Sequence, residues 1–149
     1  MTGLPEKLSE IVEDIGSITD RRERAEMLIE LADRFDAVRV PAQIAVKPYD
    51  ESHRVPACES EAFVWAEDQA DGTLRFYFDV LNPQGLSAMA MSVILNETLA
   101  GEPLQTIAAV PDDVVLQIFG NGLSMGKGAG LMGIVGMVRA EARRRLSAG

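Results

Sequence analysis

The sequence predicts an α+β fold, a small antiparallel sheet of about three strands packed against helices. Three observations predict it. The first thirty-five residues carry apolar positions at helical spacing, residues 62 to 67 are rich in strand formers and 73 to 80 alternate, and a run of apolar helix formers follows at once. Helices, then a hairpin, then helices again suit a segregated α+β arrangement and not a doubly wound parallel sheet. Residues 1–149 read as a single domain, a length that suits one core.

Pro5–Ile15 reads as the first helix, with Leu8, Ile11, Val12 and Ile15 at i, i+3, i+4 and i+7. Gly16 ends it. Thr19 and Asp20 can cap a second helix, and Glu23 stands where a capping-box partner of Asp20 belongs. Its apolar face runs through Ala25, Leu28, Leu31, Ala32 and Phe35. So short a link predicts an antiparallel helical pair. Asp36–Ser52, with Pro41 and Pro48, has no sustained period and reads as a long connection.

Arg54–Pro56 reads as a short strand, Ala62–Glu67 as a second and Thr73–Val80 as a third. Leu74, Phe76, Phe78 and Val80 alternate with Arg75, Tyr77 and Asp79, which predicts a hairpin with one buried face. Pro83–Leu99 is a mostly apolar helix, central and buried on most sides. Pro103 and Pro111 each open a short helix, to Val110 and to Phe119. Gly120–Gly130 reads as a glycine-rich turn, and Leu131–Leu146 as the last helix. Gly130, Gly133 and Gly136 recur every three residues, which permits close helix packing.

Composition and charge narrow the function. Apolar residues are 47% and charged residues 25%, the balance of a soluble globular protein. No run of roughly eighteen uncharged apolar residues exists, so no membrane span is expected. Met1–Asp14 is acidic and amphipathic and does not read as a signal peptide. A net charge of −9 disfavours phosphate backbones, so nucleic acid is not an expected partner. The charge is uneven: seven acids and one base, Arg54, lie between Asp50 and Asp71, while five bases and one acid lie between Gly120 and the end. Solvated faces and a charge–dipole match at the last helix account for much of this. The chain has one cysteine and one histidine. These cannot form an internal disulfide, fill a four-ligand zinc site or hold an iron–sulfur cluster within one chain. The absence of cysteine pairs fits a reducing compartment, the cytoplasm.

Cys58 is the first candidate for chemistry. It lies in His53-Arg-Val-Pro-Ala-Cys-Glu-Ser-Glu-Ala-Phe-Val-Trp65, in the turn between two expected strands, where a rigid scaffold can present a reactive group. The plainer reading is a small buried apolar residue, since free cysteine is often buried. Glu59 and Glu61 disfavour its thiolate, and only Arg54 and a protonated His53 offset them. Such a thiol stays quiet until a partner completes its surroundings. A Cys58–His53 hydrolase lacks an evident third orienting residue. Gly120–Gly130 is no phosphate loop, because Asn121 and Gly128 stand where that pattern needs glycine and a hydroxyl residue.

These residues resemble SufE-like proteins, sulfur acceptors that serve cysteine desulfurases in iron–sulfur cluster assembly. Arg54-Val-Pro-Ala-Cys58-Glu-Ser60 followed by Phe63-Val-Trp65 is similar to the family's R-V-x-G-C-x-S segment and aromatic strand. Gly85-Leu86 is similar to its K-G-L, and Leu123-Ser124 with Gly130-Leu131 to its late L-[ST]-P-x-R-x-x-G-[LM] turn. The chain departs from the pattern at Ala57, Glu59, Gln84, Gly122, Met125 and Lys127.

The resemblance implies that Cys58 accepts sulfur as a persulfide, with Arg54, Glu59 and Ser60 supporting the site. It implies a pyridoxal-phosphate cysteine desulfurase (SufS-like) as the partner, stimulation of that enzyme, and delivery to a SufBCD-like scaffold. It implies no cofactor and no metal of the chain's own, and a monomer. A regulatory partner of the desulfurase or assembly complex that carries no sulfur is the alternative.

Overall fold

The computed structural model describes residues 4–56, 61–82, 85–120, 123 and 125–148. Among these residues, six helices and one two-stranded antiparallel sheet give the expected α+β class. Helix α1 (Glu6–Gly16) buries Leu8 and Ile15, with Ile11 and Val12 packed beside them. Helix α2 (Arg21–Ala32) is capped as expected: the Asp20 carboxylate accepts from the amides of Arg22, at 2.7 Å, and Glu23, at 3.3 Å. Leu31 and Ala32 are buried, whereas Ala25 is exposed. Phe35 enters the core from a single 3₁₀ turn, Phe35–Ala37, beyond the helix end.

Strand β1 (Ala62–Asp68) pairs with β2 (Leu74–Val80), in a register that sets Val64 opposite Phe78 and Trp65 opposite Tyr77. In the connecting loop Gly72 takes φ +84°, which favours glycine. The Asp71 carboxylate there accepts from both the amide and the hydroxyl of Thr73, and this holds its pKa below the usual range. The strand expected at Arg54–Pro56 is a single bridge. Arg54 pairs with Phe63, and the Val55 amide donates to the Ala62 carbonyl at 2.8 Å. Pro56 has no amide to continue the ladder. The other edge is covered likewise, by a bridge between Arg39 and Phe78.

The hairpin is buried on both faces, not on one. Val64, Leu74, Phe76, Phe78 and Val80 join the main core. Phe63 and Trp65 point the other way, into a second cluster with Val40, Ile44, Ala45 and Tyr49. The connection read as lacking a period folds over the sheet as a cover. Tyr49 meets Phe63 and Trp65 edge-on, at centroid distances of 5.1 and 4.8 Å.

Helix α3 (Leu86–Leu99) is the central element, packed against α1, α2 and β2. Helices α1 and α2 pack chiefly on α3 and not on each other, which replaces the expected pair. The buried hydroxyls of Ser92 and Thr98 donate to the carbonyls of Ala88 and Ile94 in their own helix. Short helices α4 (Leu104–Ala108) and α5 (Val114–Phe119) follow.

Helix α6 runs Met125–Ala148, so it begins six residues before the expected Leu131. Half of the glycine-rich segment is therefore helical. Glycine weakens a helix by about 1 kcal/mol each, but packing against α3, α4, α5 and β1 outweighs that local preference. At its far end Arg145 reaches the hairpin: its Nε lies 2.5 Å from Asp68 Oδ1, and its Nη1 lies 2.8 Å from Glu141 Oε1. Arg139 pairs with Asp112 at 2.7 Å and donates to the Val110 carbonyl at 2.8 Å. Much of the basic tail is thus spent on internal ties.

Candidate functional site

Cys58, Glu59 and Ser60 lie outside the described residues, as do Ala57, Gln84 and Gly122. What the structure defines is the two stems that carry the cysteine segment. On one side are Arg54, Val55 and Pro56; on the other are Glu61 and Ala62. The Val55–Ala62 hydrogen bond ties the stems at their base. Glu61 has φ +25°, a left-handed backbone that few non-glycine residues adopt, and its carbonyl accepts from the Leu81 amide at 3.1 Å.

The stem also sits against α6. A β-carbon placed on Gly133 would lie 2.8 Å from Val55 Cγ1 and 3.1 Å from the Pro56 carbonyl oxygen. Glycine there lets the helix approach the stem this closely. Gly136 has nothing within 4 Å of such a carbon, so of these two glycines only Gly133 makes the close packing expected from the three-residue spacing.

Arg54 is committed to its own neighbours. Its Nε and Nη2 reach the two carboxylate oxygens of Glu51 at 2.9 and 3.1 Å, and its guanidinium lies 4.8 Å over the Phe63 ring. The hydrogen bonds to Glu51 hold its pKa above the usual value. His53 is also fixed. Its ring stacks on Trp65 at 5.1 Å, and Nδ1 lies 2.8 Å from the Val64 carbonyl oxygen, so Nδ1 carries the proton and donates.

One polar group that sequence reasoning missed is Asp79, which is only 1% exposed. Its carboxylate accepts from the Tyr49 hydroxyl at 2.6 Å, from Arg39 Nη1 at 3.1 Å and from the Val80 amide at 2.9 Å. Burial first, then the hydrogen bond to Asp79, pushes the Tyr49 hydroxyl up to about 12. This set pins the connection over the second face of the hairpin. A charged residue in β2 next to aromatic neighbours was the available signal.

No group of three metal-ligating side chains occurs among the described residues, and no described helix is long and apolar enough to cross a membrane. The fold defines an α+β protein in which the two stems flanking the cysteine in sequence are tied to each other, and the first of them packs on the last helix. Residues 9–142 match the SufE family model, described as an Fe-S metabolism associated domain, and the chain belongs to that family. Membership associates it with iron–sulfur metabolism. The solution structure of a hypothetical protein from Thermus thermophilus is similar over 97% of this chain and 98% of that one, with 28% sequence identity and a TM-score of 0.71. No curated protein matches the chain.

Proposed function

We propose that the protein is a sulfur carrier that takes persulfide sulfur from a pyridoxal-phosphate cysteine desulfurase onto Cys58, stimulates that enzyme, and passes the sulfur to an iron–sulfur assembly scaffold. The match to the SufE family over residues 9–142 carries this reading. Cys58 is the chain's one thiol, and it falls between stems held by the Val55–Ala62 bond and the Gly133 contact.

The exchange balances without an oxidant. Cys58 loses its proton, and its thiolate attacks the outer sulfur of the desulfurase persulfide. A sulfur–sulfur bond forms on Cys58 as the one on the desulfurase breaks, and the desulfurase cysteine leaves as a thiolate that takes up a proton. Arg54 braces the first stem through Glu51. Glu59 and Ser60 flank the sulfur in sequence. Residues 1–149 act as one monomeric, cytoplasmic domain that needs no cofactor or metal of its own and binds neither nucleic acid nor membrane. Glu59 beside the sulfur favours a second reading, a regulator that binds the desulfurase or assembly complex without carrying sulfur, since that charge opposes the thiolate.

Intact mass after incubation with a cysteine desulfurase and free cysteine separates the two. Gain of one sulfur by the wild type and none by Cys58→Ser supports the carrier. No gain during confirmed turnover, with stimulation kept in Cys58→Ser, supports the regulator.

A further inference from the structure

A second feature of the fold owes nothing to the cysteine segment. A cleft of about 400 Å³ opens where the α1–α2 link and the end of α5 meet α2, lined by Thr19, Arg21, Arg24, Ala25, Leu28 and Phe119 with Gly120. Arg24 and Ala25 each lie three or four residues from both Arg21 and Leu28, so the four share one helical face. The cleft is thus lined by two arginines together with the apolar residues Ala25, Leu28 and Phe119.

Arg24 is held in place. Its Nη2 donates to the Ile18 carbonyl at 3.2 Å, and its Nη1 lies 3.0 Å from where a β-carbon on Gly120 would be. Gly120 has φ +78°, so glycine serves both the backbone there and the room for the guanidinium. Arg34, Arg39, Arg54, Arg139, Arg144 and Arg145 each pair with a carboxylate. Neither Arg21 nor Arg24 does so among the described residues, in a chain with 23 acids and 14 bases. The nearby Asp20 carboxylate is occupied in capping α2.

We propose that this cleft is a binding site for a small organic anion, a compact apolar body with a carboxylate or phosphate head. The head bridges Arg21 and Arg24, with the Thr19 hydroxyl beside them, and the body rests on Ala25, Leu28 and Phe119. A guanidinium fork matches either head in geometry, and the volume falls in the range of small-molecule sites.

Phenylacetate, phenyl phosphate, acetate and benzyl alcohol, titrated by amide and arginine Nε NMR, test this. The expected result is saturable shifts at Thr19, Arg24, Leu28 and Gly120 with either aromatic anion, about ten-fold weaker for acetate and for benzyl alcohol. Arg21→Gln, at an exposed residue with no internal bond, weakens the aromatic anion by about ten-fold while the remaining spectrum is unchanged, and Arg24→Gln does the same. A preference between the two aromatic anions identifies the head group. No saturable shift, equal response to benzyl alcohol, or undiminished binding in both variants overturns the proposal.

Discussion

Val55 Cγ1 occupies the space that a side chain on Gly133 would need, with only 2.8 Å between it and a β-carbon built there. The last helix and the stem of the cysteine segment are thus fitted to each other through a missing methyl group. Gly133→Ala forces Val55 or Pro56 to move, and overpacking typically costs about 1–3 kcal/mol, partly offset by about 1 kcal/mol of helix propensity. Gly136→Ala has open space and is expected to be neutral or stabilising by up to about 1 kcal/mol. Urea unfolding of the two variants checks this. A Gly133→Ala variant as stable as Gly136→Ala contradicts the fit.

Tyr49 and Asp79 predict behaviour at high pH. The folded tyrosine has its pKa at about 12 against an ordinary value of 10.0, so its protonated form is favoured by folding. That contribution is fully present below pH 10 and is lost as the pH rises through about 12. Of the two tyrosines, one is expected to ionise late in a phenolate absorbance titration, and Tyr49→Phe removes the late step. The same substitution costs about 1–2 kcal/mol through the lost bond to a buried carboxylate.

Asp68 and Arg145 predict behaviour at low pH. The Arg145 hydrogen bond holds the Asp68 carboxyl below its usual range, so this stability is present above the ordinary carboxylate pKa and fades as pH falls through the folded value. Asp68 is mostly exposed, which limits Asp68→Asn to about 0.5 kcal/mol. Arg145→Ala is expected to cost more, about 1–2 kcal/mol, because Arg145 is largely covered and also holds Glu141. Equal losses in acid and urea titrations of the two variants count against this ranking.

Reactivity of Cys58 follows from its charged neighbours. Glu59 is adjacent in sequence, and Arg54 is engaged by Glu51. On the proposed carrier reading, Glu59 opposes the Cys58 thiolate, and alkylation by a bulky reagent is expected to be slow in the isolated protein and faster with the desulfurase present. Equal rates in both conditions refute partner-dependent activation of the thiol. On the same reading the acidic residues around Cys58 meet a basic rim on the desulfurase, and stimulation is expected to weaken as salt rises. Stimulation constant from low to high salt refutes that picture.

The elements with one strong period were legible from sequence alone. Leu8, Ile11, Val12 and Ile15 marked α1, and the alternation from Leu74 to Val80 marked β2 with its inward side. Tertiary effects were not. Tyr77 and Asp79 read as solvent-facing because nothing local says that Val40, Ile44 and Tyr49, carried on a chain without a period, return to cover them. Gly126, Gly128 and Gly130 read as a turn because glycine is a poor helix former, and the packing that makes them helical belongs to distant elements. Arg54 was legible only as a neighbour of Cys58 in sequence, and its bidentate pairing with Glu51 was not legible because it requires the 3₁₀ turn that brings the two together.

Helix α6 is tied near both ends of β1: Gly133 packs on Val55 and Pro56, whose stem is bonded to Ala62, and Arg145 pairs with Asp68. Twelve helical steps at about 1.5 Å and six strand steps at about 3.3 Å both span close to 20 Å, so the two segments measure one another. Substitutions along either leave that match intact. A single inserted or deleted residue between 133 and 145 turns the helix by about 100° beyond it and shifts its length, and an odd residue in β1 also reverses the faces. These two segments are therefore constrained in length, over and above what their buried side chains and Gly133 require in composition.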